Sequence, residues 1–294
     1  MSDTYSPPWP APAKINRFLH ITGRRPDGYH TLQTAFQFVE PVDELTFTLT
    51  RRPNIQRTGG MADLAPEQDL VVRAATLLRA QAGITQGVSI HLKKRIPVGG
   101  GLGGGSSNAA TTLVALNQLW GCSLTPTDLH ALALQLGADV PVFVGGVAAW
   151  ADGVGEVLTP IDMDQPWLVI VNPGVNVQTA VVFHDSKLTR NTAELTIRAV
   201  GDKGMRNDCE PVVRRLYSKI AAVLDELDRL GAAKLTGTGS CVFAEFASQS
   251  AAEAAQRQLS KDLDVWVCRA KNRSPLCDRL AIESSTDNWG VAKR

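Results

Sequence analysis

The sequence predicts an α+β fold in two domains, and three observations lead to that prediction. The chain has 294 residues, which is more than most single domains contain. Hydrophobic residues make up 44% of it, which is enough for a packed core and too much for a disordered chain. Segments with the alternation of strands are interspersed with helical segments, and the pattern changes near residue 160. We therefore expect one domain at residues 1–159 and another at residues 160–294.

The elements of the first domain follow from hydrophobic periodicity and from residues that begin or end helices. Apolar and polar residues alternate in Leu45–Leu49, as in a strand with one buried face. Thr125, Pro126 and Asp128 form a pattern that begins a helix, and Gly137 ends it. The expected strands are 13–22, 35–50 and 88–92, and the expected helices are 69–82, about 106–119 and 126–136.

The pattern beyond residue 160 predicts a second domain. The apolar run Trp167–Asn172 is typical of a buried strand. A polar segment over about 184–208 separates it from helices near 209–230. Beyond these we expect a strand at 241–246, a helix at about 249–260 and a strand at 265–269. This alternation of strands and helices indicates a second α+β unit.

Charge and cysteine content exclude several classes of function. The formal net charge is +1, without the basic excess of proteins that bind nucleic acids or membrane surfaces. The five cysteines include no Cys-x-x-Cys pair, so neither a disulfide framework nor a zinc site is predicted. No apolar run has the length of a signal peptide or of a membrane span. We expect a cytoplasmic monomer or weak homodimer that acts on a small molecule and builds no metal site of its own.

A glycine-rich loop is the most informative feature of the sequence. Residues 99–105 are all glycine except one, which lets the backbone adopt positive φ and lets a ligand approach its amides. The helix that follows adds unpaired N–H groups and the positive end of its dipole, so this segment is suited to bind a phosphate chain. Lys94 adds positive charge, and Ser106 or Ser107 could cap the helix or bind phosphate oxygens. The residues expected to line this site are Lys94, Pro97, Val98, Gly99, Gly100, Gly101, Leu102, Gly103, Gly104, Gly105, Ser106 and Ser107.

Other interpretations of the glycine-rich loop fit less well. A Walker A motif needs Lys and then Ser or Thr after its last glycine, whereas Gly104 is followed by Gly105. The dinucleotide pattern matches Gly99, Gly101 and Gly104. It requires an acidic residue at the end of a second strand, however, and the chain enters a helix near Asp128 instead. The companion motifs of protein kinases are absent, and a flexible linker would not be flanked so closely by a strand and a helix.

The segment Pro97–Ser107 resembles the signature loop of the GHMP kinases, a family that includes galactokinase, homoserine kinase and mevalonate kinase. Four further segments resemble the same family, and they are 12–16, 25–32, 137–141 and 235–240. The resemblance extends over nearly the whole chain. It implies a ribosomal-S5-like N-terminal domain, a ferredoxin-like C-terminal domain, and a reaction that uses ATP with Mg²⁺.

Two of these segments resemble the members that phosphorylate the C2 hydroxyl of a cytidylated methylerythritol in the non-mevalonate route to isoprenoid precursors. In those members an aromatic ring stacks on cytosine and a histidine binds the polar edge of the base through its backbone and side chain. Tyr29 and His30 correspond to these residues; alone they would be an aromatic at a strand start and a surface histidine. Phe36 and Phe183, which alone would be core residues, help by resemblance to wall the cytidine pocket.

Lys14 and Asp139 are the candidate catalytic residues. Taken alone, Asp139 would be a turn residue and Lys14 a solvated lysine at the end of a strand. The resemblance makes Asp139 the general base that takes the proton from the substrate hydroxyl. It makes Lys14 the cation that orients this carboxylate and offsets charge in the transition state.

Further residues complete the site by resemblance. Those expected on the methylerythritol and diphosphate side are Asn16, Val154 and Thr179. The segment Gly237, Thr238 and Gly239, which alone could be a hairpin turn, corresponds to the third family motif, a loop of the second domain that supports the active site. Asp69 departs from the family, which usually has Asn near the adenine at this position.

Three alternatives stay open at this point. Another GHMP kinase of the homoserine or mevalonate type is disfavoured by Tyr29 and His30, since those substrates carry no base to stack. A nucleotide-binding sensor without activity is disfavoured by the presence of both Lys14 and Asp139. A dinucleotide-dependent oxidoreductase would depend on NAD(P) and not on ATP.

Overall fold

The computed structural model describes residues 4–60, 64–197 and 205–285 of the chain. The strands in these ranges are β1 (Thr4–Tyr5), β2 (Trp9–Arg24), β3 (His30–Thr50), β4 (Ile55–Gly59), β5 (Gly87–Lys93), β6 (Ala149–Asp152), β7 (Val157–Pro160), β8 (Trp167–Asn172), β9 (Ala233–Leu235), β10 (Val242–Phe246) and β11 (Asp264–Arg269). The helices are α1 (Leu70–Ala82), α2 (Gly104–Leu119), α3 (Pro126–Leu136), α4 (Val140–Gly145), α5 (Thr179–His184), α6 (Glu210–Leu216), α7 (Ser218–Asp228), α8 (Gln249–Gln256) and α9 (Pro275–Ser285).

The first sheet has seven strands and is built around the long strand β3. β3 pairs antiparallel with β1, β2, β5 and β6, while β4 joins β5 in parallel and β7 joins β6. The pairing of β2 with β3 shifts register between Pro12 and Ala13 and again between Asn16 and Leu19. Such irregularities bend a strand and change where its side chains point. They flank Lys14, the residue that β2 contributes to the site described below.

Helices α1, α2 and α3 share one hydrophobic core with this sheet. The buried side of α1 repeats at helical spacing, with Val71, Ala74 and Leu78 packed into one core with Leu113 and Leu116 of α2. The predicted start of α3 is confirmed: the hydroxyl of Thr125 accepts from the amide of Asp128, and the carboxylate of Asp128 accepts from the amide of Thr125. α2 packs against both α1 and α3, and it begins within the glycine-rich loop, at Gly104.

The second sheet has the strand order β11-β8-β10-β9, and all its pairs are antiparallel. Numbered within this domain the order is 4-1-3-2, with helices between the first and second strands and between the third and fourth. This is the ferredoxin-like arrangement that the resemblance implied, and that prediction is confirmed. Val169 and Val171 of the central strand pack against Leu224 and Leu227 of α7.

The C-terminal helix α9 returns to the first domain. Leu276 belongs to the core under α2, and the guanidinium of Arg279 lies 4.5 Å from the centre of the Trp9 ring. The sheets themselves separate between β7 and β8. The boundary at residues 159 and 160 stays a prediction. Over the described ranges, no helix combines the length and the apolar character that crossing a membrane requires.

Differences from the predicted elements concern mainly ends and short segments. β2 begins at Trp9, where residue 13 was expected, and β3 begins at His30, where residue 35 was expected. α2 begins at Gly104 and not at residue 106, because Gly103 turns the chain directly into the helix with φ 71°. Periodicity also does not reveal β4, β6, β7, β9, α4 and α5, since elements of six residues or fewer hold too little pattern. The eleven-residue helix α9 was not predicted either.

Candidate active site

Two cavities meet at the glycine-rich loop. The larger, of about 630 Å³, lies between the domains and is lined by Lys14 and Phe36 on one side and by Thr179 and Phe183 on the other. The smaller, of about 330 Å³, is lined by residues 97–106 together with Lys94 and the start of α1. Gly101 and Gly103 line both cavities. A ligand in one cavity can therefore reach a ligand in the other at this point.

Lys14 is buried at the junction, where its side chain is only 4% exposed. Its ammonium donates to Oδ1 of Asn16 at 2.7 Å and to the carbonyl oxygen of Gly101 at 3.1 Å. It also lies 3.3 Å from Oδ2 of Asp139 and 5.2 Å from the centre of the Phe36 ring. Three acceptors match the three donors of an ammonium group, so its position is fixed. The side chain is thus not the solvated lysine that the sequence alone suggested.

Asp139 stands directly before α4, at the position that caps a helix. Its side chain makes no capping hydrogen bond, because the backbone there is already helical, with φ −84° and ψ −12°. The carboxylate is 36% exposed, lines the larger cavity and has Lys14 as its ion-pair partner. It is therefore open to a ligand on one side and held by a cation on the other. The structure brings Lys14 and Asp139 together although they are far apart in the sequence.

The glycine-rich loop is packed too closely to admit side chains. A Cβ on Gly101 would lie 2.3 Å from the carbonyl oxygen of Thr236, and one on Gly103 would lie 2.8 Å from the Phe143 ring. Both glycines have left-handed backbone, with φ 74° and 71°. Leu102 between them is buried, and its carbonyl accepts from the amide of Lys14 at 3.0 Å. The loop is thus fixed by contacts on both sides, with its amides at the cavities.

One of the remaining loop residues does not line the smaller cavity. Pro97, Val98 and Ser106 line the smaller cavity with the glycines. Ser107 does not line it; its hydroxyl is fully buried and has no hydrogen-bond partner among the described residues. A buried polar atom without a partner is costly unless a ligand or water completes its bonding. The amides of the first turn of α2 are the other unpaired donors there.

Asp43 is a residue that the sequence analysis did not single out. It is fully buried, accepts from the amides of Arg95 and Ile96 at 2.6 and 2.8 Å and from Nδ2 of Asn108 at 2.9 Å, and forms an ion pair with Lys94. The charge of Lys94 is therefore balanced by a buried carboxylate, and it adds less net charge to the phosphate site than the sequence suggested. The sequence signal that could have identified Asp43 is a charged residue within a predicted strand of mostly apolar residues.

The far end of the larger cavity has aromatic walls. The rings of His30 and Phe183 are stacked, with centres 5.1 Å apart and planes at 29°. Tyr29 beside them is 66% exposed. Burial lowers the pKa of His30, and the positive charge of Arg190 lowers it further. Arg190, which the sequence analysis also missed, donates from Nε to Nε2 of His30 at 2.9 Å.

The third-motif loop joins the second domain to the site. Gly237 and Gly239 have φ of 56° and 88°, and Thr238 lies within hydrogen-bond distance of Thr179, with 3.1 Å between the hydroxyls. The hydroxyl of Thr236 accepts from the amide of Asn16 at 3.0 Å. Just after this loop, the amide of Cys241 donates to the carbonyl of Gly100 in the glycine-rich loop at 3.0 Å. This loop therefore connects both halves of the site.

Asp69 and Val154 each line one of the two cavities. Asp69 accepts from the amide of Val71 at 2.9 Å as the cap of α1 and forms an ion pair with Arg57, while lining the smaller cavity. Val154 lines the larger cavity, and its amide donates to Oε2 of Glu156 at 2.6 Å. In the described ranges, no group of three or more His, Cys, Asp or Glu could hold a metal ion.

Comparison with known proteins agrees with this geometry. The family of GHMP kinase N-terminal domains matches residues 69–147, and the family of GHMP kinase C-terminal domains matches residues 190–265. A homoserine kinase structure from Cytophaga hutchinsonii has a TM-score of 0.70 at 20% identity and covers 93% of this chain and 96% of its own. At that identity the likeness concerns the fold alone.

Proteins with higher sequence identity to this chain show which group of GHMP kinases it belongs to. The 4-diphosphocytidyl-2-C-methyl-D-erythritol kinase of Alkalilimnicola ehrlichii is 51% identical over 283 residues, which is 96% of this chain and 97% of that protein. A crystal structure of a 4-(cytidine 5'-diphospho)-2C-methyl-D-erythritol kinase has a TM-score of 0.79 at 33% identity and covers 90% of this chain and 99% of its own. The chain therefore belongs to the GHMP kinase family, and within it to the 4-diphosphocytidyl-2-C-methyl-D-erythritol kinases.

Proposed function

We propose that the protein transfers the γ-phosphoryl group of ATP to the C2 hydroxyl of 4-diphosphocytidyl-2-C-methyl-D-erythritol. The observation that carries this proposal is the Lys14–Asp139 pair at the junction of the two cavities, with Nζ and Oδ2 3.3 Å apart. The larger cavity takes the cytidylated substrate and the smaller one takes ATP. The two reacting groups then meet beside Gly101 and Gly103.

The smaller cavity suits the phosphates of ATP for two reasons. Glycine leaves room at Gly99 and Gly101, where a Cβ would collide with the second domain, and at Gly103, where it would collide with Phe143. The amides at the start of α2 point unpaired N–H groups and a positive dipole end toward it. Mg²⁺ would enter with the nucleotide and supply positive charge against the phosphates. ATP oxygens and water would supply most of its ligands, and Ser106, which lines the cavity, could offer its hydroxyl.

In the chemical step Asp139 accepts the proton of the C2 hydroxyl while that oxygen bonds to the γ-phosphorus and the bond to the β,γ-bridging oxygen breaks, which releases ADP. Lys14 orients the carboxylate and places its positive charge beside the transferring group. Asn16 and the Gly101 carbonyl hold the ammonium, so this charge needs no reorganisation during the reaction.

The aromatic end of the larger cavity favours a nucleoside substrate over the smaller alcohols of other GHMP kinases. His30 and Phe183 form a flat surface, and Tyr29 is exposed next to it, which suits stacking on cytosine. Phe36 is the second aromatic assigned to the cytidine, and Asn16, Val154 and Thr179 are assigned to the methylerythritol and diphosphate. All four residues line the same cavity as the catalytic pair, which supports the assignment.

A substrate panel tests the proposal. The protein is assayed with ATP, Mg²⁺ and, in turn, the cytidylated methylerythritol, homoserine and mevalonate, with ADP release measured and the product identified by ³¹P NMR. We expect kcat/KM for the cytidylated substrate to exceed the others by at least about 100-fold, because only this substrate fills the aromatic end. Faster turnover of a substrate without cytidine would overturn the proposal in favour of a homoserine or mevalonate kinase.

Cellular location and assembly are further parts of the proposal. We expect a cytoplasmic enzyme, since all five cysteines are free in the structure. We also expect a monomer or a weak homodimer. Sedimentation analysis at micromolar concentration measures the second expectation.

A further inference from the structure

Arg190 connects the two aromatic walls of the larger cavity without lining it. It lies between α5 and α6, outside any helix or strand, and its Nε donates to Nε2 of His30 at 2.9 Å. Its Nη2 donates to the carbonyl oxygens of Phe183 and Asp185 at 2.9 and 2.8 Å, and Nη1 donates to that of Leu188 at 3.1 Å. Four donors of the guanidinium are thus engaged, so its position relative to both rings is fixed.

The contact determines which nitrogen of His30 carries the proton. Arginine has donors and no acceptor, and it stays charged, so Nε2 of His30 must present its lone pair. A neutral ring then has its proton on Nδ1. Among the described residues Nδ1 has no hydrogen-bond partner, and His30 lines the cavity. His30 therefore offers the ligand a donor and no acceptor.

We propose that Arg190 is a specificity-determining positioning residue that holds His30 as the Nδ1–H tautomer, so that the cavity selects cytosine over uracil. The selection rests on the proposed function, which places a pyrimidine beside His30. Cytosine and uracil both have an acceptor at O2, but N3 is an acceptor in cytosine and carries a proton in uracil. A histidine locked as a donor toward N3 therefore suits cytosine, while a histidine free to exchange tautomers can also accept from N3–H of uracil.

The charged surroundings of His30 support a neutral ring. Burial lowers its pKa most, followed by the positive charges of Arg190, Arg24 and His184. The ring is therefore neutral at pH 7, and its tautomer is decided by the hydrogen bond that Arg190 makes.

The experiment measures the tautomer and the base preference together. Imidazole ¹⁵N chemical shifts of His30 are recorded for the whole protein and for Arg190→Met, and Kd values for CDP and UDP are measured for both. We expect the original protein to show a protonated Nδ1 and a preference for CDP. In Arg190→Met we expect a shift toward Nε2–H and an approximately tenfold loss of that preference, which corresponds to one hydrogen bond.

Two further variants separate this role from a structural one. Arg190→Lys keeps a donor for His30 but cannot span the three carbonyls, so the tautomer and most of the base preference should be retained. Arg214→Met is the matched control, since Arg214 also makes several contacts in the second domain, to Glu210 and Asp225, and is not among the cavity residues. It should leave both measurements unchanged.

Any one of three outcomes would overturn the inference about Arg190. The first is an unchanged His30 tautomer in Arg190→Met, the second is equal weakening of CDP and UDP binding in that variant, and the third is no preference for CDP in the original protein. Each can occur while the kinase reaction proceeds normally. Conversely, a protein that fails to phosphorylate the cytidylated substrate but shows the expected tautomer and preference contradicts the proposed function and supports the role of Arg190.

Discussion

The two cavities of the site are built in different ways. The smaller one consists mainly of one continuous segment, whose backbone amides and glycines provide the binding surface. The larger one is lined by side chains from β2, β3, α5 and several loops of both domains. The comparison teaches that the phosphate side should be sensitive to added volume, whereas the base side should be sensitive to the chemistry of individual side chains. The junction between them should be sensitive to both.

The largest expected effect lies at the junction, in Asp139→Asn. The amide keeps the shape of the carboxylate but cannot accept the substrate proton, so we expect kcat to fall by about 10³-fold with both KM values nearly unchanged. Steady-state kinetics measure this. Asp262→Asn, at an exposed aspartate far from the cavities, is the control. A fall of only a few-fold in Asp139→Asn would show that Asp139 is not the general base.

The next effect sharpens the contrast at the phosphate side, in Gly99→Ala, since Gly99 lines the smaller cavity and not the larger one. The added Cβ would lie 2.6 Å from Oδ1 of Asn176, and alanine disfavours φ 71°. Because the loop must shift, we expect about a 100-fold loss of kcat/KM for ATP, while CDP still binds. Gly145→Ala, where the new Cβ meets nothing within 4 Å, should have no effect. Equal losses for ATP and CDP would contradict the separation of the two cavities.

At the base side, Phe183→Ala should give a smaller and more selective effect. It removes a stacked ring, so we expect the KM for the cytidylated substrate to rise by about 10- to 50-fold. The KM for ATP should stay within about twofold, since Phe183 does not line the smaller cavity. Val181→Ala, at an exposed residue of the same helix, is the matched control. A change in ATP affinity would mean that the two sides are not independent.

The smallest effect is a dependence of substrate binding on pH. The pKa of His30 is lowered below 6.5, first by burial and then by Arg190, Arg24 and His184, so the ring is mainly neutral at pH 7 and above. We expect a constant KM for the cytidylated substrate between pH 8 and 7 and a rise as the pH falls below 6.5. Protonation there places a hydrogen on Nε2, against the Arg190 guanidinium.

Measuring this profile at saturating ATP removes the titration of the nucleotide from the result. His91→Asn, at an exposed histidine outside both cavities, should give the same profile. A KM that rises between pH 8 and 7 would contradict the lowered pKa of His30.

The sequence by itself determined the local features of this protein. The phosphate loop could be predicted because backbone amides and a helix N-terminus are encoded in consecutive residues. The capping of α3, the periodic face of α1 and the ferredoxin-like unit follow from short-range patterns or from family resemblance. Lys14, Asp139 and His30 were identified only because their motifs resemble a known family, since each is an ordinary residue in its local context.

Only the tertiary structure decided how those residues are held. The second domain brings Thr236 against Asn16, the fold buries Asp43 beneath Lys94, and Arg190 meets His30 across the domain junction. The physical reason is that side-chain hydrogen bonds and ion pairs act over a few ångströms between residues distant in sequence. Their partners therefore depend on how the domains pack, and no pattern of neighbouring residues specifies them.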